Sequence, residues 1–106
     1  MNKKEKARYE IRARIIKAMA HPTRLFIVDQ LAQNDLCVND LTEKIGDDMS
    51  TVSKHLTVLK NVGIVQDRKS GTQVFYHLKM PCVLNFFGCV ESVIKSSARE
   101  QLRLIG

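Results

Sequence analysis

The chain contains no uninterrupted apolar run approaching the roughly 20 residues that a membrane span requires. Its first residues, Met1-Asn2-Lys3-Lys4-Glu5-Lys6, lead into no apolar core of the kind a secretory signal carries. Together these absences predict a cytoplasmic protein with no membrane partner. Cysteine is scarce: three residues, an odd number, which in a reducing compartment excludes a disulfide framework and leaves metal binding, redox sensing or plain burial. There is no Cys-x-x-Cys and no βαβ pattern around a thiol, so a small redox enzyme is not expected. Nor does any Ser or Cys have a recognisable base and orienting acid, which argues against a hydrolase. No linker rich in Pro, Gly or Ser, no low-complexity tract and no repeat divides the chain, which predicts one domain over residues 1–106. A domain of that size has room for only a modest core and often gains from a partner chain. Negative charge is the minority: 11 Asp and Glu against 17 Lys and Arg give a formal charge of +6, which implies attraction to a polyanion.

What is present begins with a pattern over residues 38–62. Val38, Leu41 and Ile45 share one helical face, Asp40 sits in the first turn where a carboxylate suits the helix dipole, and Gly46 follows as a stop. Asp47 and Asp48 predict a turn, and Ser50 is suited to cap a second helix through its hydroxyl. Val52, Leu56, Leu59 and Gly63 mark that helix's inner face and end. Its other face carries Ser50, Thr51, Ser53, Lys54, His55 and Val58, groups suited to base edges and phosphates where a recognition helix enters a groove. Residues 64–68 and 72–78 are rich in β-branched and aromatic types, with Lys69-Ser70-Gly71 between them as a hairpin signal, so a wing is expected over 64–78. Arg68 and Lys69 near its tip are expected to meet the phosphate backbone. The whole reads as a mainly α winged helix-turn-helix with a small β-hairpin, and its expected partner is double-stranded DNA.

Helices flank this centre. Ile11, Ile15, Ile16 and Met19 recur at helical spacing within residues 5–19. A second helix follows His21-Pro22, with Leu25, Val28 and Leu31 as its inner face. Over residues 81–98, Val83, Leu84, Phe86, Phe87, Val90, Val93 and Ile94 wrap most of the way around a helix that Pro81 is suited to initiate. A helix apolar on so many sides needs cover on both faces, and the natural cover is the same helix of a second subunit. The C-terminal helix is therefore expected to make a homodimer. Two recognition helices would then lie about 34 Å apart, which implies an inverted-repeat operator.

The stretches Ala20-His21-Pro22-Thr23-Arg24-Leu25, Cys37-Val38-Asn39-Asp40-Leu41, Ser50-Thr51-Val52-Ser53-Lys54-His55-Leu56 and Val74-Phe75-Tyr76-His77-Leu78 resemble the ArsR/SmtB family of transcriptional repressors. The resemblance spans roughly residues 13–94. It implies a homodimeric repressor, paired through its first and last helices, that leaves its operator when a metal, metalloid or thiol-reactive signal arrives. Arsenite-responsive members commonly have Cys-Val-Cys-Asp-Leu-Cys where this chain has Cys37-Val38-Asn39-Asp40-Leu41-Thr42, so two of those three thiols are absent. Members binding zinc, cobalt or nickel across the last helices use Asp/His and His/Glu motifs, and residues 79–103 contain no histidine. His21 and His77 read as structural or surface residues, with no second ligand at zinc spacing.

The remaining candidates are Cys82 and Cys89, alone or with Cys37. Seven residues along one regular helix separate two backbones by roughly 10 Å. That is too far to share an ion whose bonds to sulfur are about 2.3 Å, unless Cys82 precedes the regular helix or Gly88 permits a bend. Thiolates without imidazole or carboxylate partners suit a soft inducer, trivalent arsenic first, with no permanently bound cofactor. Oxidation or persulfidation linking Cys37 to Cys82 or Cys89 is the competing chemistry. A DNA-binding protein with inert cysteines is the plainest alternative.

Overall fold

The computed structural model describes residues 1–105; Gly106, the last residue of the expected single domain, lies outside them. In chain order the elements are α1 (Lys3–Met19), α2 (Pro22–Gln33), β1 (Leu36–Cys37), α3 (Val38–Ile45), α4 (Met49–Asn61), β2 (Val65–Ser70), β3 (Gln73–Leu78) and α5 (Val83–Ile105). Local chemistry sets most of the boundaries. The Asn2 side chain accepts the Glu5 N–H at 2.8 Å and starts α1, while Pro22 opens α2 at a position whose N–H would have no helical partner. Gly46 closes α3 in the left-handed conformation at φ +87°.

The sheet is antiparallel with strand order β1-β3-β2. Its third strand was not expected: two residues carry no alternation to read, and β1 exists because Leu36 and Cys37 pair with Tyr76 and Phe75 along the free edge of β3. The hairpin also turns later than expected. Lys69 and Ser70 belong to β2, paired with Val74 and Gln73, and the connection is the two residues Gly71 and Thr72. Gly71 supplies the positive φ of +64° that such a tight connection needs.

Val74, Tyr76 and Leu78 alternate onto the inner face of β3 and meet Ile27, Val28 and Leu31 of α2, Leu41 of α3, and Val52, Leu56 and Leu59 of α4. Ile27 takes the inner position expected for Leu25, which is 39% exposed beside α5. The last helix starts two residues later than expected and runs seven further. Only Val83 of α5 is buried, with Phe87 packed against the core, and beyond that point the helix leaves the body. No helix among the described residues is long and apolar enough to cross a membrane.

Candidate nucleic-acid interface

Helices α3 and α4 are joined by the short turn after Gly46, and α4 begins on an acid rather than on the expected Ser50. Asp48 is the N-cap: its Oδ1 accepts the Thr51 N–H at 2.7 Å and the Ser50 hydroxyl at 2.8 Å. These bonds, the backbone one first, hold the Asp48 carboxyl below the ordinary carboxylate pKa. Ser50 therefore lies within the first turn. Val52, Leu56 and Leu59 anchor α4 in the core, and Val58, expected on the outer face, packs against the core as well.

Besides Met49 and Lys60, what α4 leaves exposed is a polar stripe: Ser50, Lys54, Thr57 and Asn61, at alternating intervals of four and three. Thr51 and Ser53, named with them from sequence, are half-buried. Thr57 and Asn61 were missed, although Lys54 plus three and plus seven is the spacing that finds them. The Thr57 hydroxyl donates to the Ser53 carbonyl at 2.9 Å, while Ser50 and Lys54 lie toward the N-terminal end of the helix.

The wing is fastened to this helix by Lys60, whose Nζ lies 2.9 Å from Oδ2 of Asp67 on β2. The hydrogen bond and charge of Asp67 raise the Lys60 pKa, and the bond from Lys60 lowers that of Asp67. Arg68 pairs with Phe75 across the hairpin and lays its guanidinium over that ring at 5.7 Å from the centroid. Lys69 is exposed one residue nearer the tip.

His55 has a specific neighbourhood. Its Nδ1 accepts the Arg24 Nε–H at 3.1 Å, and its ring lies 4.6 Å from that of His21, centroid to centroid. Burial first, then the nearby His21 and Arg24, push the His55 pKa below the ordinary imidazole value, against a smaller upward pull from Asp47. Arg24 also donates through Nη1 to the Ala18 carbonyl at 3.3 Å. His21 caps α2, its Nδ1 accepting the Thr23 N–H at 3.1 Å. His77 meets Asp35, just before β1, at 2.7 Å. Sequence patterns place Arg24 within a family motif without giving it a task. Its oddity is visible all the same: it is the sole basic residue of α2, and it sits in the first turn, where a helix dipole disfavours cations.

The thiols are dispersed. Cys37 precedes α3 as its N-cap without a side-chain capping bond and is 4% exposed, whereas Cys82 and Cys89 are exposed. Cys82 does precede the regular helix, but the chain there is already turning, with the Asn85 N–H donating to the Cys82 carbonyl at 3.2 Å. That tight turn runs directly into α5, and Gly88 lies inside uninterrupted helix, so the two backbones stay about 10 Å apart along the axis. Among the described residues of one chain, no three His, Cys, Asp or Glu side chains gather where they could hold a metal ion.

Comparison with known proteins gives this geometry a context. Residues 21–67 match the family model described as "Bacterial regulatory protein, arsR family". An HTH-type transcriptional regulator of Methanocaldococcus jannaschii is 43% identical over 72 residues, 67% of this chain and 81% of that protein. The solution structure of a homodimeric winged helix-turn-helix DNA-binding domain from Mycobacterium bovis, described as a possible ArsR-family transcriptional regulator, superposes with a TM-score of 0.79 at 30% identity. It covers 94% of this chain and 93% of its own. The crystal structure of the transcriptional repressor BigR from Xylella fastidiosa gives a TM-score of 0.72 at 29% identity, covering 88% of this chain and 96% of its own.

Proposed function

The chain belongs to the arsR family of bacterial regulatory proteins, transcriptional regulators and not enzymes, and from this premise we propose that it is a homodimeric repressor of an inverted-repeat operator in the cytoplasm, released by thiol chemistry at the start of α5. The observation that carries the DNA half of this reading is the exposed stripe of α4 beside a basic wing. Ser50 and Lys54 offer a donor and a charge at the N-terminal end of a helix whose opposite face is locked in the core, with Thr51, Ser53 and His55 alongside. Arg68 and Lys69 contribute cations from the adjacent strand, suited to phosphates on either side of the groove. The dimer half is supported by α5, whose apolar residues Phe86, Val90, Val93 and Ile94 are exposed in the single chain, and by the homodimeric relative.

Release is assigned to Cys82 and Cys89. Both thiols are exposed, Cys82 in the turn that leads into the helix expected to join the subunits and Cys89 on that helix, with no imidazole among the residues of α5, a donor set that favours soft ions such as trivalent arsenic. Because the turn and helix of one chain keep the Cys82 and Cys89 backbones about 10 Å apart, an ion shared by these two positions is assigned thiols from both subunits, with Cys37 joining only if its buried side chain is released. A ligand that binds one dimer geometry better than the DNA-competent one lowers operator affinity through that difference alone. The same exposure leaves both thiols open to a persulfide or other sulfur oxidant, which is the second reading.

The deciding experiment is an operator-release titration with arsenite, antimonite, cadmium, lead and a persulfide donor, with free thiols counted in parallel. The expected result is release by a soft ion with loss of two or more free thiols per dimer, abolished in the Cys37→Ser, Cys82→Ser, Cys89→Ser variant. If that variant binds and is still released, thiol sensing is wrong; release by the persulfide donor alone selects the oxidative reading.

A further inference from the structure

The contact between Arg24 and His55 has a chemical consequence for the recognition helix. A guanidinium donates hydrogen bonds and accepts none, so the nitrogen of His55 that meets Arg24 Nε at 3.1 Å carries no proton. The ring's single N–H is therefore on Nε2. That atom has no partner among the described residues and is not enclosed, since no buried side-chain nitrogen or oxygen in the half-buried residues lacks one. His21 is fixed in the same way, because the Thr23 amide that meets its Nδ1 can only donate. Arg24 is itself anchored on α1 through the Ala18 carbonyl, so one side chain ties the end of α1 and the start of α2 to the middle of α4.

We propose that Arg24 is a positioning residue for DNA reading: it holds His55 as the neutral Nε2–H tautomer, so that each subunit presents one fixed donor from α4 to an acceptor atom of the operator. This rests on the operator reading above and goes beyond it by assigning the hydrogen-bond polarity of His55 and the residue that sets it. A fixed donor discriminates purine N7 and O6 or thymine O4 from the amino groups of adenine and cytosine. The groups facing His55 are Arg24 from α2, His21 that caps α2, and Asp47 from the turn before α4, two basic side chains against one acid. Protonation at Nδ1 replaces the acceptor by a second donor aimed at Arg24 and breaks the contact. Acidification then adds charge, strengthening attraction to any duplex, while it releases the ring whose direction carries discrimination.

The test uses the full-length dimer, a duplex it selects from a random-sequence pool, and a scrambled duplex of equal length. Nitrogen-15 spectra of histidine-labelled protein, assigned with single His variants, read the tautomer directly, and the expected state of His55 is Nε2–H. The preference for selected over scrambled duplex is expected to be level above about pH 6.5 and to fall on acidification, while scrambled-duplex affinity rises. His55→Asn keeps an acceptor near the Nδ1 position and no outward donor. It should lose roughly three- to tenfold preference per subunit, and with it the pH dependence. His55→Gln keeps the outward donor without the acceptor for Arg24 and should retain more. Arg24→Met should move the acid fall to higher pH, because the neighbouring cation is gone; a merely structural role would lower thermal stability without moving that midpoint. If Arg24→Met does not fold, the tautomer and the Asn and Gln pair still decide. A native His55 carrying its proton on Nδ1, or equal preferences for Asn and Gln, overturns the inference. If the native dimer selects no duplex at all, the operator reading itself fails, and with it the use assigned to His55.

Discussion

Asp48 holds the start of α4 because its Oδ1 takes both the Thr51 N–H and the Ser50 hydroxyl, bonds that favour the ionised carboxylate. A depressed folded-state pKa means that this contribution is fully present above the ordinary value of 3.8 and is lost as pH falls through the folded value. Asp48→Ala is therefore expected to melt about 5 °C below the native protein near neutral pH, with Asp48→Asn close to native, since Asn caps as well as Asp. Thermal melts from about pH 7 to about pH 2.5 check this, and the gap between native and Asp48→Ala should narrow only below pH 3.8. A gap unchanged at the acid end of that range would mean that the ionised cap contributes nothing. The sequence pattern points to Ser50 as the cap and assigns Asp47 and Asp48 to the turn; which of these capping residue types takes the role depends on how the chain leaves Gly46, a geometry no residue type encodes. Arg24 illustrates the opposite case. Its misfit in α2 is legible, but its partner His55 stands 31 positions away and only the fold supplies it.

At the scale of elements, the recognition helix and wing act as one charged surface whose lysines are not equivalent. Lys54 and Lys69 form no ion pair among the described residues, whereas Lys60 is engaged by Asp67 at 2.9 Å. Each phosphate neutralised by a free cation contributes about 0.9 to the slope of log affinity against log salt. In a dimer, Lys54→Ala or Lys69→Ala should therefore reduce that slope by about 2, and Lys60→Ala by clearly less. Binding isotherms on one duplex from about 50 to about 300 mM salt measure it; equal reductions for all three would show that the ion pair with Asp67 is lost on DNA. The elements themselves were largely legible where a period runs long enough. The faces of α3 and α4 and the strands of the hairpin show it, since Val52, Leu56 and Leu59, and Val74, Tyr76 and Leu78, declare periods of about 3.6 and 2.0 directly. Two elements escaped for physical reasons. β1 is two residues held by pairing rather than by propensity. The end of α5 runs past Ser96-Ser97-Ala98, where the apolar pattern lapses, on good helix formers and an Arg103 to Glu100 ion pair.

The whole molecule is too extended for its length. Its radius of gyration is 16.9 Å, against about 13 Å for a compact domain near 100 residues, because α5 continues for some 34 Å with only its first turns on the body. Where α5 crosses α1 and α2 it leaves an open apolar groove of about 480 Å³, bounded by Ile16, Met19, Leu25, Phe86, Phe87 and Val90. Val93 and Ile94 are 64% and 54% exposed, so changing them leaves the core untouched, and the dimer can be attacked without attacking the fold. The variant Val93→Glu, Ile94→Glu places two carboxylates where the second subunit is proposed to pack. Sedimentation should show the mass of one chain in place of two, with helical circular dichroism retained up to the C-terminal turns. Operator affinity should then fall by about a hundredfold or more, because half-site binding loses the high effective concentration that a linked second reader provides. Should the variant sediment as a dimer and bind as the native protein does, the subunits join elsewhere, and the exposed face of α5 needs another explanation.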